Sequence, residues 1–205
     1  MVATRLKCEL ISWRRVHELS RSLAGRIRAA GYRPDIIVAI GRGGYVPARL
    51  IADYLNLMDL TSMKIEHYTM GARRQPVARV RYPLCVDVSG KRVLIIDDVS
   101  DTGDTFCVAI DHVKQKYTPA GIMTGVLHHK QVSRYEPDFY GQKIIKWRWI
   151  IYPWALLEDV SGFIQQMETP PHRPEALAER IHSEYGIRVS PETVEDALSI
   201  LEENR

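Results

Sequence analysis

Apolar positions along the first 130 residues show two patterns in turn: spacings of three and four residues, which are typical of a helix, and short segments that are typical of a strand. Between Trp13 and Gly31, apolar residues recur at spacings of three and four, which predicts a helix with one apolar face. Segments 46–57 and 105–117 predict two further helices. Four short segments between these helices predict strands: the apolar run at 35–40, which is expected to be buried, and the segments 62–68, 92–97 and 121–129.

Strands that alternate with helices in this way predict an α/β fold with a parallel sheet and helices on both faces. Ligands of such sheets bind at the carboxyl ends of the strands. The unusual loops 41–44 and 97–105 both follow predicted strands. We therefore expect the functional site where these two loops meet.

Two later segments have no clear period. Residues 69–83 are basic and contain Gly and Pro, which indicates a mobile loop or a loose hairpin. Residues 143–152 predict one or two short strands. Neither segment changes the expected fold class.

The C-terminal part differs in composition from the rest. A proline-rich linker at 168–174 precedes two predicted helices, and Ser190 is placed to cap the second. We expect a main domain over residues 1–165 and a helical appendage over 166–205. The second helix carries acidic residues and no Lys or Arg, so it would repel a phosphate backbone. Packing or dimerisation is the favoured role for the appendage.

Charge is unevenly distributed along the 205 residues. The whole chain carries +3, whereas residues 160–205 hold nine acidic residues, four Arg and no Lys. The remaining chain is therefore basic, which favours an anionic ligand. The excess is too small to require nucleic acid.

The expected location is the cytoplasm. The three cysteines (Cys8, Cys85 and Cys107) are odd in number and far apart, so they match neither a disulfide framework nor a metal site. The N-terminal segment has no apolar core of a secretory signal. No apolar run approaches the roughly 18 residues that a membrane helix requires.

Candidate chemistry is concentrated in segment 91–106, "KRVLIIDDVSDTGDTF". A turn of small residues between a strand and a helix leaves backbone N–H groups that favour an anion. Gly103 allows close approach, and Thr102 and Thr105 add hydroxyl donors. The segment contains neither the P-loop nor the dinucleotide fingerprint. It predicts a phosphate-binding loop formed by Asp101, Thr102, Gly103, Asp104 and Thr105.

Asp97 and Asp98 precede this loop at the predicted end of the strand. Their carboxylates can accept hydrogen bonds from vicinal hydroxyls of a sugar, or hold Mg²⁺ through its waters. Either role would place these two carboxylates next to the ligand of the phosphate-binding loop, with Mg²⁺ as the candidate cofactor.

The sequence "VLIIDDVSDTGDT" resembles the 5-phosphoribosyl-1-pyrophosphate (PRPP) motif of type I phosphoribosyltransferases. "GRGGYVPARLIA" is similar to the pyrophosphate loop of the 6-oxopurine branch. The resemblance implies the parallel-sheet PRPP-binding fold. It places Arg42, Gly43 and Gly44 at pyrophosphate, Asp97 and Asp98 at ribose and metal, and residues 101–105 at the 5′-phosphate. Asp101 becomes the candidate general acid/base.

The segments "LHHK" and "KWRWIIYPW" resemble the bacterial xanthine-guanine type. The resemblance implies that Lys130 binds the 6-oxo group, that Trp149 stacks on the base and that the Ile150 backbone faces its exocyclic edge. Trp147 and Trp154 compete for the stacking role.

The resemblance implies transfer of phosphoribose from PRPP to a purine base, with release of pyrophosphate. It favours a 6-oxopurine, and homodimers or higher homo-oligomers are expected. Arg73 and Arg74 lie in the basic segment that would close as a lid. A PRPP- or nucleotide-sensing regulator on the same fold is the alternative, as is an enzyme with another acceptor base.

Overall fold

The computed structural model describes residues 6–69 and 73–203, with backbone alone for residues 67–69 and 73–76. Its helices are α1 (Trp13–Ala29), α2 (Tyr45–Leu55), α3 (Asp104–Lys116), α4 (Leu156–Gln166), α5 (Pro174–Tyr185) and α6 (Pro191–Glu203). Its strands are β1 (Cys8–Leu10), β2 (Ile36–Gly41), β3 (Leu60–Thr69), β4 (Arg73–Tyr82), β5 (Arg92–Ser100), β6 (Gly121–Lys130), β7 (Phe139–Ile144) and β8 (Trp149–Ile151).

A six-stranded sheet in the order β4-β3-β2-β5-β6-β7 forms the larger unit of the protein. Strands β3, β2, β5, β6 and β7 pair in parallel with their neighbours. Strand β2 and the Val93–Ile96 part of β5 are apolar and buried, as strands covered on both faces require. Their carboxyl ends lead directly into the loops 42–44 and 101–103.

Helices cover both faces of this sheet. On one face, Phe106, Ala109 and Val113 of α3 join a core with residues of β2, β5 and β6. On the other face, a Cβ built on Gly125 would touch both Ile96 and Leu23 of α1. The predicted α/β class with a mainly parallel sheet is therefore confirmed.

The smaller unit combines the described parts of Met1–Trp13, Tyr68–Arg74 and Arg148–Arg205. Here β1 and β8 form a two-stranded parallel sheet. Helices α4, α5 and α6 bury a common apolar cluster, which includes Phe163, Leu177 and Val194. The two C-terminal helices thus form as predicted, and Ser190 Oγ accepts a hydrogen bond from the Thr193 N–H at the start of α6. The predicted boundary at 165/166 stays a prediction.

Local structure differs from the expectations in a few places. Strand β5 was expected to end at Asp97, but it continues to Ser100 because pairing with β6 extends to His129. Segment 69–83 was expected to be a mobile loop or a loose hairpin. Most of it is strand β4, which neighbours β3 in the sheet and packs its apolar side on the core, in agreement with the hairpin alternative. The short strand β1 and the helix α4 were not predicted.

None of the described helices is long and apolar enough to cross a membrane.

Candidate active site

The loop between β5 and α3 is shaped by Gly103, which adopts a left-handed conformation (φ 88°) as the residue before the helix. The Gly103 carbonyl accepts hydrogen bonds from the N–H groups of Phe106 (3.1 Å) and Cys107 (3.3 Å), which starts α3. Thr102 Oγ1 donates to Asp104 Oδ2 at 2.9 Å. A compact turn of small residues therefore opens on a helix N-terminus, where anions are favoured.

The second loop, 42–44, meets β5 at the residues singled out from the sequence. A Cβ on Gly43 would lie 2.6 Å from Cγ of Asp98, so this glycine allows the carboxylate to approach the loop backbone. A Cβ on Gly44 would clash with the backbone of Ile40 and Ile96. The peptide bond between Gly41 and Arg42 is cis. The structure thus brings the two predicted loops together through Asp98.

Asp97 is buried, and its Oδ1 accepts a hydrogen bond from the Asp98 N–H at 2.9 Å. Burial chiefly, and the charge of Asp98 secondly, raise the pKa of Asp97 well above its usual range. A cation beside the pair would reverse this effect, because it stabilises both ionised carboxylates. The described residues contain no group of three or more acidic, His or Cys side chains that could hold a metal by themselves.

Two carboxylates suit Mg²⁺, which is commonly bound by one or two carboxylates together with water and substrate phosphates. The donor set therefore fits a magnesium ion that arrives with a phosphorylated ligand.

Asp101, Lys130 and Trp147 form a cluster at the end of β6. Asp101 Oδ1 lies 3.0 Å from Lys130 Nζ and also accepts a hydrogen bond of 3.0 Å from Trp147 Nε1. The Lys130 ammonium lies 4.5 Å from the centroid of the Trp147 ring. The Lys130 side chain is 2% exposed, so Asp101 pairs with a buried ammonium group. The cluster presents a donor and an acceptor next to each other.

Comparison with known proteins matches this arrangement to one family. The sequence profile of the phosphoribosyl transferase domain matches residues 9–159. The chain belongs to the phosphoribosyl transferase family. It is therefore a phosphoribosyltransferase, as the motif in β5 predicted.

Individual relatives are purine enzymes by name. The hypoxanthine-guanine phosphoribosyltransferase of Saccharomyces cerevisiae is 28% identical over 189 residues, covering 71% of this chain and 85% of its own. The xanthine-guanine phosphoribosyltransferase of Cereibacter sphaeroides is 29% identical over 152 residues, covering 71% and 86%. The crystal structure of the Pyrococcus horikoshii purine phosphoribosyltransferase superposes with a TM-score of 0.61 at 31% identity, covering 72% and 93%.

Two predicted base-binding residues of this phosphoribosyltransferase, Trp149 and Ile150, lie in β8 of the smaller unit. Trp149 Nε1 donates to the buried Asp159 Oδ1 at 2.9 Å, and Trp149 packs against the apolar cluster of that unit. In the same unit Trp154 stacks on Tyr152, with ring centroids 4.7 Å apart. Among the three competing tryptophans, Trp147 contacts Asp101 and Lys130.

Strands β3 and β4 carry a basic surface next to the 42–44 loop. Glu66 lies 3.6 Å from Lys64, 3.8 Å from Arg79 and 3.9 Å from Arg81, so one carboxylate faces three cations. The intervening residues are buried in the core: Met63, Ile65 and Ala78. Lys64 pairs in register with Gly41, which places this surface at the carboxyl edge of the sheet. The side chains of Arg73 and Arg74 fall outside the part of the chain that the structure describes.

A support for the 101–105 loop was missed in the sequence. Segment 131–138 crosses from β6 to β7 and packs on the loop: a Cβ on Gly103 would lie 2.7 Å from Tyr135 N and 2.9 Å from Ser133 Oγ. Phe106 stacks on Tyr135 at 5.4 Å. The Arg134 N–H donates to the Thr102 carbonyl at 3.0 Å. No local pattern predicts these contacts, because they depend on how β7 pairs with β6.

Proposed function

We propose that this phosphoribosyltransferase transfers the 5-phosphoribosyl group of PRPP to a 6-oxopurine: hypoxanthine, guanine or xanthine. The products are the nucleoside 5′-monophosphate and pyrophosphate, and the cellular role is purine salvage. The observation that carries the proposal is the ion pair of Lys130 and Asp101.

This pair complements one edge of a 6-oxopurine. Lys130 donates only, so it suits the 6-oxo oxygen, and Asp101 accepts from the neighbouring ring N–H. Adenine would present its 6-amino donor to the lysine ammonium, which leaves a buried donor unmatched. The names of the yeast and bacterial relatives support the same class of base.

We assign the 5′-phosphate of PRPP to the loop of Asp101, Thr102, Gly103, Asp104 and Thr105. The N-terminus of α3 and the left-handed Gly103 support this role. Pyrophosphate is assigned to Arg42, Gly43 and Gly44, because glycines at the last two positions expose backbone next to Asp98.

Asp97 and Asp98 are assigned to the ribose hydroxyls and to Mg²⁺. Bound magnesium would supply charge neutralisation for the departing pyrophosphate. The raised pKa of Asp97 supports a cation beside this pair, since burial alone disfavours its ionised form.

Trp149 is proposed to stack on the base, with the Ile150 backbone at its exocyclic edge. The hydrogen bond from the Trp149 indole to Asp159 supports this role, because it holds the ring in one orientation.

In the reaction, the bond between ribose C1 and the pyrophosphate oxygen breaks and a bond from C1 to a purine ring nitrogen forms. The purine loses a ring proton, for which Asp101 is the proposed acceptor. The basic residues Lys64, Arg79 and Arg81 surround a single carboxylate and support an anion-binding lid on β3 and β4, which would include Arg73 and Arg74.

We further propose a cytoplasmic homodimer or higher homo-oligomer, a main domain over residues 1–165 and an appendage over 166–205. The shared core of α4, α5 and α6 supports a packing role for the appendage.

The test is a specificity assay in which PRPP and Mg²⁺ are mixed with hypoxanthine, guanine, xanthine or adenine and pyrophosphate release is measured. We expect release with at least one 6-oxopurine and about 10²-fold lower kcat/KM with adenine.

Lys130→Met should remove the preference for the 6-oxopurine over adenine, whereas Lys143→Met, at an exposed lysine on β7, should retain it. Preference for adenine would contradict the proposal. No release with any base would favour the regulatory alternative.

A further inference from the structure

Trp147 lies outside the regular elements, in the four-residue connection between β7 and β8. It is 42% exposed although it is a tryptophan, and its neighbour Ile145 is 74% exposed. The ring is therefore partly exposed, and the connection that carries it contains no strand or helix.

The contacts that Trp147 does make are polar and specific. Its indole N–H donates to Asp101 Oδ1, and the Lys130 ammonium lies over its ring. Asp101 and Lys130 are the two residues that we assigned to the purine edge. The most exposed part of this cluster thus contacts both proposed base-recognition groups at once.

An indole and a purine share the geometry that matters at this site. Each is a five-membered ring with an N–H, fused to a six-membered ring. The indole N–H therefore makes with Asp101 the hydrogen bond that a purine ring N–H would make. A 6-oxopurine additionally presents an oxygen to Lys130, whereas the indole presents only its π face.

We propose that Trp147 is an internal occupant of the base site: in the ligand-free enzyme its indole binds Asp101 in place of the purine, and the incoming base displaces it. This inference rests on the proposed function. Displacement is favourable because Lys130 exchanges a cation–π contact for a hydrogen bond to the 6-oxo oxygen. Trp147 therefore weakens base binding without taking part in the chemical step.

The decisive measurement separates KM for the base from kcat in three variants. Trp147→Ala removes the competitor, so KM for the preferred 6-oxopurine should fall about tenfold, with kcat within about twofold and KM for PRPP unchanged. Trp147→Phe keeps a ring but loses the N–H, so KM should fall about threefold. Ile145→Ala, in the same connection, should retain the wild-type values.

Three outcomes of these kinetics would overturn the proposal. A raised KM for the base in Trp147→Ala would mean that Trp147 is the stacking platform. A kcat lowered more than tenfold at unchanged KM would mean that Trp147 positions Asp101 for proton transfer. An unchanged KM in an active enzyme would also reject the proposal while leaving the proposed function intact.

A second readout is independent of turnover. The chain contains four tryptophans, and the ¹⁵N-indole NMR signal of Trp147 can be identified by its loss in Trp147→Phe. We expect this signal to shift when inosine 5′-monophosphate is added and to remain unchanged with ribose 5-phosphate. An equal response to both, or none to either, would overturn the proposal. If the enzyme releases no pyrophosphate, the selective change in the Trp147 NMR signal alone decides whether a purine displaces Trp147 from Asp101.

Discussion

The loop at 101–105, to which we assign the phosphate (the phosphate loop below), and the cluster of Asp101, Lys130 and Trp147 share one carboxylate but are assembled differently. The loop is contiguous: it leaves β5, turns at Gly103 and enters α3. The cluster joins residues from the β5–α3 turn, the end of β6 and the β7–β8 connection. The loop can be identified from five consecutive residues. The cluster can be identified only when the pairing of the strands in the sheet is known.

This difference has a physical origin. A phosphate is bound by backbone N–H groups at a helix N-terminus, so the residues that shape the loop are small and leave a compact motif. A base edge is recognised by side chains at fixed distances, which different strands can supply. Variants that affect one part and spare the other test the comparison directly.

The largest expected effect concerns the shared carboxylate itself. Asp101→Asn keeps an acceptor for Trp147 and Lys130 but cannot take a proton at neutral pH. We expect kcat to fall about 10²–10⁴-fold with KM for PRPP within about threefold, measured by steady-state pyrophosphate release. Asp111→Asn, an exposed acid on α3, should have wild-type kinetics. A decrease in kcat of less than tenfold would remove Asp101 from the chemical step.

The next effect isolates the phosphate loop. Gly103→Ala places a Cβ against Tyr135 and Ser133 at a positive φ of 88°. Conformational strain of about 1–2 kcal/mol and overpacking of about 1–3 kcal/mol should lower the free energy of unfolding and raise KM for PRPP at least tenfold. Denaturant unfolding and initial rates would measure the two changes.

Gly90→Ala is the matched control for this substitution. Gly90 also has a positive φ (73°), but no atom lies within 4 Å of its added Cβ. Gly90→Ala should therefore lower the free energy of unfolding by the conformational strain alone, about 1–2 kcal/mol, and leave the steady-state kinetics unchanged. Equal kinetic effects at both glycines would mean that the packing of segment 131–138 does not shape the loop.

The third effect concerns the pH dependence of stability that is caused by His128 on β6, the strand that ends at Lys130 of the cluster. Burial above all, with Arg15 and Lys130 adding to it, lowers the pKa of His128 to about 4. The unfolded chain then binds the proton first as pH falls, so stability is complete above about pH 6.5 and is lost toward pH 4. The shift corresponds to about 3 kcal/mol.

His128→Gln should reduce the stability difference between pH 7.5 and 4.5 by about that amount in urea unfolding. The same pH dependence in both proteins would contradict this account.

The smallest effect concerns the carboxylate pair beside the loop. Because the pKa of Asp97 is raised in the folded state, stability is lost as pH rises from the usual Asp pKa through the raised value. Asp97→Asn removes this cost, so Tm at pH 8 should rise by a few degrees, on the order of the 2–4 °C that 1 kcal/mol produces in a chain of this size.

The same variant should lose the increase in Tm that PRPP with Mg²⁺ gives the wild type. Thermal unfolding with and without these ligands measures both changes. A lower Tm than that of the wild type at pH 8 would mean that Asp97 is stabilised by contacts other than a ligand.

Much of the main sheet could be predicted because its elements are locally encoded. The helix at 13–29 shows the apolar period, and β2 and the Val93–Ile96 part of β5 are continuous apolar runs. Segment 69–83 allowed either a loop or a loose hairpin, because the alternation of Arg with apolar residues along β4 specifies a strand only when a core lies beneath its apolar side. Strand β1 has three residues, too few for a period.

Asp97, Asp98 and the loop 101–105 were singled out by the sequence alone, because their residue types and order suffice to predict a turn of small residues after a strand, to which we assign the phosphate. The tertiary structure decided how far β5 extends, since pairing with β6 carries it to Ser100. It also decided which tryptophan contacts Lys130 and Asp101, and which residues of segment 131–138 support Gly103. These are contacts between distant segments, and their distances depend on strand register and chain crossings rather than on any local period.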